Sequence, residues 1–171
     1  MKKIVITGPE STGKTTLARQ LAAHYGTKYV PEYARIFLEN LDRPYTIADL
    51  LPIAKGQLDL ENQPQYQEGL VQICDTSFLV LKVWLEFKYN TTHPWVDRQF
   101  QNHPPDLYLL CDIDLPWQPD PFRENPNELQ ELMDLYRAHL ENAGFRFAVI
   151  SGKGEERFQK ALQVVEEVVN I

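Results

Sequence analysis

The sequence predicts an α/β fold, a five-stranded parallel sheet with helices on both faces, and three observations predict it. Short apolar runs alternate with helical repeats along the chain. The first run is followed at once by Gly8-Pro9-Glu10-Ser11-Thr12-Gly13-Lys14-Thr15. This is the phosphate-binding pattern G-x-x-x-x-G-K-[ST] in a strand–loop–helix context. The length, 171 residues, suits one domain with one sizeable core spanning residues 1–171.

Each element has its own warrant. Lys3–Thr7 reads as the first strand, and Lys14–Tyr25 as a helix with Leu17, Leu21 and Tyr25 on one face, ended by Gly26. Lys28–Val30 is a short strand. Pro31 then suits the first turn of a helix running to Leu38. Thr46 to Asp49 has the form of a capping box. It opens a helix with Ile47, Leu50, Leu51, Ala54 and Leu58 apolar, and Pro52 is expected to kink or shorten it. Leu70–Asp75 is a strand ending in a carboxylate. The helix Ser77–Tyr89 is apolar almost all round and so predicted to be deeply buried, Trp84 included. Asn90–Pro105 reads as loop with a short helix, and Asp106–Asp112 as the fourth strand. A Pro-rich, charged connection, about 113–126, leads to a helix capped by Asn125 to Glu128 and carrying Leu129, Leu132, Tyr136 and Leu140. Gly144 stops it, Phe145–Ile150 is the last strand, and the final helix packs through Phe158, Leu162, Val165 and Val169.

Composition excludes several classes. The net charge of −7 and scattered Lys and Arg argue against a nucleic-acid surface, which needs a basic stripe. No signal-peptide pattern precedes the first strand, and no run approaches the ~20 apolar residues of a membrane span. Cys74 and Cys111 fall at the ends of interior strands and read as buried free thiols, so a cytoplasmic location is expected. The four histidines lack metal-ligand spacing. Length leaves no room for the second helical domain of a mechanical multi-subunit ATPase. The absence of N-K-x-D disfavours a GTPase switch.

The loop implies a bound triphosphate. Its glycines let successive N–H groups turn inward on an anion, and the following helix adds the positive end of its dipole. Gly8, Ser11, Thr12, Gly13, Lys14, Thr15 and Thr16 are the expected contacts to ATP, with Lys14 on the β- and γ-phosphates and Thr15 on Mg²⁺. In parallel sheets ligands bind beyond the carboxyl ends of the strands, so other residues at those ends are candidates. Asp75 is placed to orient Mg²⁺ with Thr15, although Asp75-Thr76-Ser77 is also good helix-capping sequence. Glu32 and Arg35 lie on nearly one face of a helix. Glu32 could take a proton from a substrate hydroxyl and Arg35 could hold substrate or phosphate, while an exposed ion pair between them is the plainer reading. Arg123 could bring positive charge to the triphosphate on a lid, or pair with Asp120 or Glu124 in a solvated loop. The turn at Gly152 could hold a purine edge through its backbone, or simply connect strand to helix. Trp117, in the lid, is the expected stacking residue for a flat ring.

Together, Gly8-Pro9-Glu10-Ser11-Thr12-Gly13-Lys14-Thr15-Thr16-Leu17, Pro31-Glu32-Tyr33-Ala34-Arg35, Asp75-Thr76-Ser77-Phe78, His93-Pro94 and Asp120-Pro121-Phe122-Arg123 resemble the kinase domain of NadR-like proteins over nearly the whole chain. The resemblance implies a P-loop kinase three-layer fold with a lid segment. It also implies a ribosylnicotinamide kinase, which moves the ATP γ-phosphate to the 5′-hydroxyl of nicotinamide riboside and forms nicotinamide mononucleotide in NAD biosynthesis. Two features depart from it. The family's nucleotidyltransferase domain does not precede the first strand, so adenylyltransferase activity is expected to be absent. Pro31 stands before Glu32-Tyr33, where the family can carry an aromatic. The rivals are a kinase for another nucleoside or small alcohol, and a non-catalytic ATP-binding regulatory protein. The expected partner is a small-molecule substrate, with no nucleic acid or membrane, and the oligomeric state is open.

Overall fold

In the computed structural model, which describes residues 1–170, five strands form one parallel sheet. They are β1 (Lys2–Thr7), β2 (Tyr29–Val30), β3 (Val71–Asp75), β4 (Leu107–Cys111) and β5 (Phe147–Ile150), in the order β2-β3-β1-β4-β5. The helices are α1 (Lys14–His24), α2 (Tyr33–Glu39), α3 (Ile47–Glu61), α4 (Phe78–Tyr89), α5 (Pro94–Asn102), α6 (Leu129–Ala143) and α7 (Gly154–Val169). Among the described residues no helix is long and apolar enough to cross a membrane.

Strand alternation divides the core. Ile4 and Ile6 face α1 and α7, packing with Leu17, Leu21, Ala161 and Val165. Val5 faces the other way, with Phe78, Leu79, Phe100, Met133 and Tyr136 of α4, α5 and α6. Both faces of the central strands are therefore covered, which is why β3 and β4 are buried at every position. Beyond α4, a third cluster joins α2 and α3 to it through Ala34, Ile53, Leu81 and Leu85. This explains the all-round apolarity of α4: one side packs on the sheet and another carries the α2–α3 layer. Cys74 and Cys111 are buried and free, as expected.

Two local expectations are corrected. Pro52 does not shorten α3, which runs through it to Glu61. Pro52 lies in the second turn, where only one intrahelical bond is forfeited. The short helix expected within 90–105 is present as α5, where His93 Nδ1 accepts from the Trp95 amide (3.2 Å) and Pro94 occupies the first turn. The cap of α6 is Glu128, with no side-chain cap bond. Asn125 is otherwise engaged, its backbone amide donating to Glu10. The capping box of α3 is present: the Asp49 carboxylate accepts from the Thr46 amide at 2.8 Å and also holds Arg43 through two bonds of 2.8 Å.

The α2–α3 seam depends on Gly56, where an added Cβ would fall 2.0 Å from the Tyr33 ring. Alanine is the better helix former by up to ~1 kcal/mol, but overpacking costs about 1–3 kcal/mol. Gly56→Ala is therefore expected to lower stability in urea unfolding, and an increase would show that the seam is loose.

Candidate active site

The phosphate loop leaves β1 between the ends of β3 and β4. Gly8 has φ +133°, and a Cβ there would meet the Cys111 carbonyl oxygen at 2.9 Å, so only glycine lets the loop pass this close to β4. Gly13, at φ +77°, is the N-cap of α1. The loop is braced from within: Thr12 Oγ1 and Lys14 Nζ both donate to the Pro9 carbonyl at 2.7 Å. All the expected loop contacts, Gly8 and Ser11 through Thr16, line one cavity of about 410 Å³.

Asp75 stands behind the loop and does not line the cavity itself. Its Oδ2 accepts from Thr15 Oγ1 at 2.5 Å. Its Oδ1 is buried with no partner. Asp75 is not the cap of α4, since Ser77 holds that position. Burial raises the Asp75 pKa, against the Thr15 bond and the positive charge of Lys14, which lower it. Thr76, the next residue, takes φ +69°. A β-branched residue there is strained, and such strain collects at functional sites.

Glu32 and Arg35 both line the cavity, but the structure does not pair them. Arg35 bonds Asp120 at 3.1 Å and lies 5.4 Å from the centre of the Phe122 ring. Glu32 is the N-cap of α2 yet makes no side-chain cap bond, which leaves its carboxylate to the cavity. Burial raises its pKa, Lys14 lowers it, and the like charge of Asp75 raises it further.

The connection between β4 and α6 lies across the loop. Ser11 Oγ accepts from the Gln118 amide at 2.8 Å, and Glu10 accepts from the amides of Glu124 (3.1 Å) and Asn125 (3.0 Å). Glu10 thus meets the connection rather than phosphate. Glu124 pairs with Lys88 at 3.0 Å and accepts from Tyr45 at 2.8 Å. Neither carboxylate offered to Arg123 as an ion-pair partner is used that way: Asp120 bonds Arg35, Glu124 bonds Lys88, and the Arg123 guanidinium donates to the Gln118 carbonyl while lining the cavity.

The far wall of the cavity is apolar. Val80, Val83, Trp84 and Phe87 line it from one stripe of α4, and Leu132 and Tyr136 from α6. Trp84, expected in the core, is only half-buried: it packs against the α2–α3–α4 cluster and also lines the cavity. Its indole N–H donates to Tyr45 at 3.2 Å, while Trp117 is not among the lining residues. Tyr136 is buried, and burial followed by the nearby carboxylates of Glu32 and Glu10 pushes its hydroxyl pKa up.

Sequence reasoning missed Arg157. Its side chain is 6% exposed and makes four bonds: to Asp114 Oδ1 (2.7 Å) and to the carbonyls of Gly152 (2.9 Å), Thr12 (2.7 Å) and Asp112 (3.1 Å). It ties the loop to the ends of β4 and β5. The signal was available, because Arg157 precedes Ala161, Val165 and Val168 on the buried stripe of α7. Gly152 lies outside the cavity lining, and its amide donates to Asp114 Oδ2 at 2.6 Å. Gly154 is the residue of that turn that lines the cavity.

Comparison with known proteins shows the family and the fold. A family model described as an AAA domain matches residues 3–157. The trifunctional NAD biosynthesis/regulator protein NadR of Escherichia coli (strain K12) is 24% identical over 99% of this chain and 43% of its own length. The chain thus spans less than half the length of the curated relatives it matches. Crystal structures of NadR protein in complex with NR, and with NAD and AMP-PNP, each superpose with a TM-score of 0.80. They are 24% and 23% identical, covering 99% of this chain and 52% and 50% of theirs. Thymidylate kinase from Ehrlichia chaffeensis gives a TM-score of 0.68 at 16% identity, over 96% of this chain and 98% of that one. The fold is that of P-loop kinases, as the motifs implied.

Two outcomes follow from the charges. Arg157→Met leaves the buried carbonyls unpaired and is expected to cost about 3 kcal/mol in urea unfolding. A loss below about 0.5 kcal/mol, the scale of a surface substitution, would show that the hub is dispensable. A carboxyl whose pKa is raised by folding holds a proton that the unfolded chain releases. Its burial therefore destabilises the native state increasingly as pH rises above the ordinary value of 4.5. Ligand-free Glu32→Gln should be more stable than wild type at pH 7, the gap closing below pH 4.5. A gap that widens in acid would reverse the sign.

Proposed function

The chain belongs to the AAA-domain family, and we propose that it is an ATP-dependent kinase for a ribosyl alcohol, nicotinamide riboside first among them. One observation carries the reading. A single cavity joins a complete phosphate loop to an apolar, aromatic wall with an uncapped carboxylate, Glu32, between them. A two-substrate phosphoryl transfer needs both halves and a base at their junction.

Lys14 and the loop amides hold the β- and γ-phosphates. Thr15 and Asp75 suit Mg²⁺: a hydroxyl and a carboxylate already in contact, with the second carboxylate oxygen buried and unpartnered. Among the described residues no cluster of three or more His, Cys, Asp or Glu could cage a metal alone. A cation here would share its coordination with the phosphates, as Mg²⁺ does. When bound it would neutralise charge developing on the β- and γ-oxygens.

Glu32 takes the proton of the 5′-hydroxyl as that oxygen bonds to the γ-phosphorus and the bond to the β-phosphate oxygen breaks, releasing ADP. A raised pKa makes it a stronger base than an exposed carboxylate. Arg123 supplies positive charge from the connection, which acts as a lid excluding water. Arg35 anchors that lid through Asp120 and Phe122 while lining the same cavity, which supports a role in holding the substrate or phosphate.

The preference for nicotinamide riboside rests on charge and shape. Trp84, Phe87 and Tyr136 offer a surface for a flat ring. Lys88 and Arg35 are neutralised by Glu124 and Asp120, whereas among the described residues Glu32 has no cationic partner in contact. That end of the cavity favours a positively charged ring such as pyridinium. The NadR likeness supports the same choice.

The test is a panel of nucleosides with ATP and Mg²⁺. Nicotinamide riboside should show the highest kcat/KM. Glu32→Gln should lower kcat about 10²-fold or more, and Asp75→Asn should raise the Mg²⁺ needed for half-maximal rate. ATP binding without transfer to any nucleoside would end the kinase reading.

A further inference from the structure

Behind the site, a buried polar cluster joins the segments that carry its two carboxylates. Glu61, the last residue of α3, is 3% exposed. Its Oε2 accepts from Lys3 Nζ of β1 at 2.6 Å, and its Oε1 from Ser77 Oγ at 2.9 Å and Gln57 Nε2 at 3.2 Å. Its backbone carbonyl is held by Gln72 and Gln67 at 2.7 and 2.6 Å. A buried ion pair gains little over an apolar core of the same volume, so stability alone does not account for it.

Two arms of the cluster end beside the site. Gln57 Oε1 accepts from the Tyr33 amide at 2.9 Å. That amide belongs to the first turn of α2, where N–H groups have no partner within the helix. The bond fixes the peptide that joins Glu32 to Tyr33, and Glu32 makes no side-chain cap bond of its own, so Gln57 sets the backbone from which its carboxylate projects. In the other arm Ser77, the N-cap of α4, makes no side-chain cap bond and donates to Glu61 instead. This anchors the strained Thr76 turn, which directly follows Asp75.

We propose that Glu61 is a positioning residue that sets Glu32 and Asp75 relative to one another, the first through Gln57 and the Tyr33 amide, the second through Ser77. The inference rests on the kinase reading above. Neither Gln57, Ser77 nor Glu61 lines the cavity, so each acts through its neighbour.

The two arms can be cut separately. Gln57→Met should lower kcat and raise the nicotinamide riboside KM, with kcat/KM down about 10-fold or more. The Mg²⁺ dependence of binding to a non-hydrolysable ATP analogue should stay unchanged. Ser77→Ala should do the reverse, raising the Mg²⁺ for half-saturation of analogue binding by about 10-fold with little change in acceptor KM. Glu61→Gln, if it folds, should show both effects. Assays run well below each variant's thermal midpoint separate this from simple loss of stability. Variants that move neither quantity, or move both in step with their loss of thermal stability, overturn the proposal. Failure of the kinase reading looks different: wild type binds the analogue and phosphorylates nothing. Binding then decides the matter, since an unmoved Mg²⁺ dependence in Ser77→Ala overturns the proposal and a raised one supports it.

Discussion

Every feature of the site depends on β1 lying between β3 and β4 in parallel register. Ile6 pairs with Asp75 and Thr7 with Leu110, so three strands end at one level. The loop that leaves β1 is pressed against the end of β4 at Gly8 and turns into α1 with Thr15 beside Asp75. A slip of one residue would turn each side chain of β1 to the opposite face. The split of Ile4 and Ile6 from Val5 between two different core clusters is what prevents it.

From that level the site grows outward in two directions with different physics. Toward the phosphate end the contacts are polar and backbone-directed: loop amides, Lys14, and the Arg157 hub that joins three carbonyls to Asp114. Toward the acceptor end they are apolar, a stripe of α4 whose Val80 and Trp84 also pack against the α2–α3 layer. The β4–α6 connection spans both and is tethered to each, through Ser11 and Glu10 at the loop and through Lys88 and Tyr45 at the acceptor side. Glu32 in the cavity and Asp75 behind the loop both have their pKa raised, chiefly by burial.

Much of this was legible without coordinates, and the reasons differ by residue. The phosphate loop was read because its glycines and lysine must stand at fixed spacing for the backbone to curl around an anion. Asp75 was singled out because the end of an apolar strand is where a phosphate-loop protein places the carboxylate that orients Mg²⁺. The β4–α6 connection stood out by its prolines and charges, which cannot enter a core. Trp84 was placed in the core because period and apolarity do not say which face of a buried helix meets a neighbour and which meets a cavity. Arg157 escaped although it lies on the buried stripe of α7, because three of its four partners are carbonyls, of Thr12, Asp112 and Gly152, which no residue type marks in advance. Arg35 was aligned with Glu32 by helical spacing, yet Asp120, remote in sequence, competes for it.

The amino-acid sequence by itself therefore determined the local chemistry: which segments alternate as strand and helix, where the triphosphate loop lies, and which carboxylates end strands. These follow from patterns within a few residues, where backbone sterics and side-chain periodicity act. Only the tertiary structure decided which aromatic faces the cavity, which carboxylate each arginine takes, and that Gln57, Ser77 and Glu61 stand behind Glu32 and Asp75. Those choices are competitions among groups far apart in the chain, settled by distance and burial, and neither exists until the sheet has closed its layers.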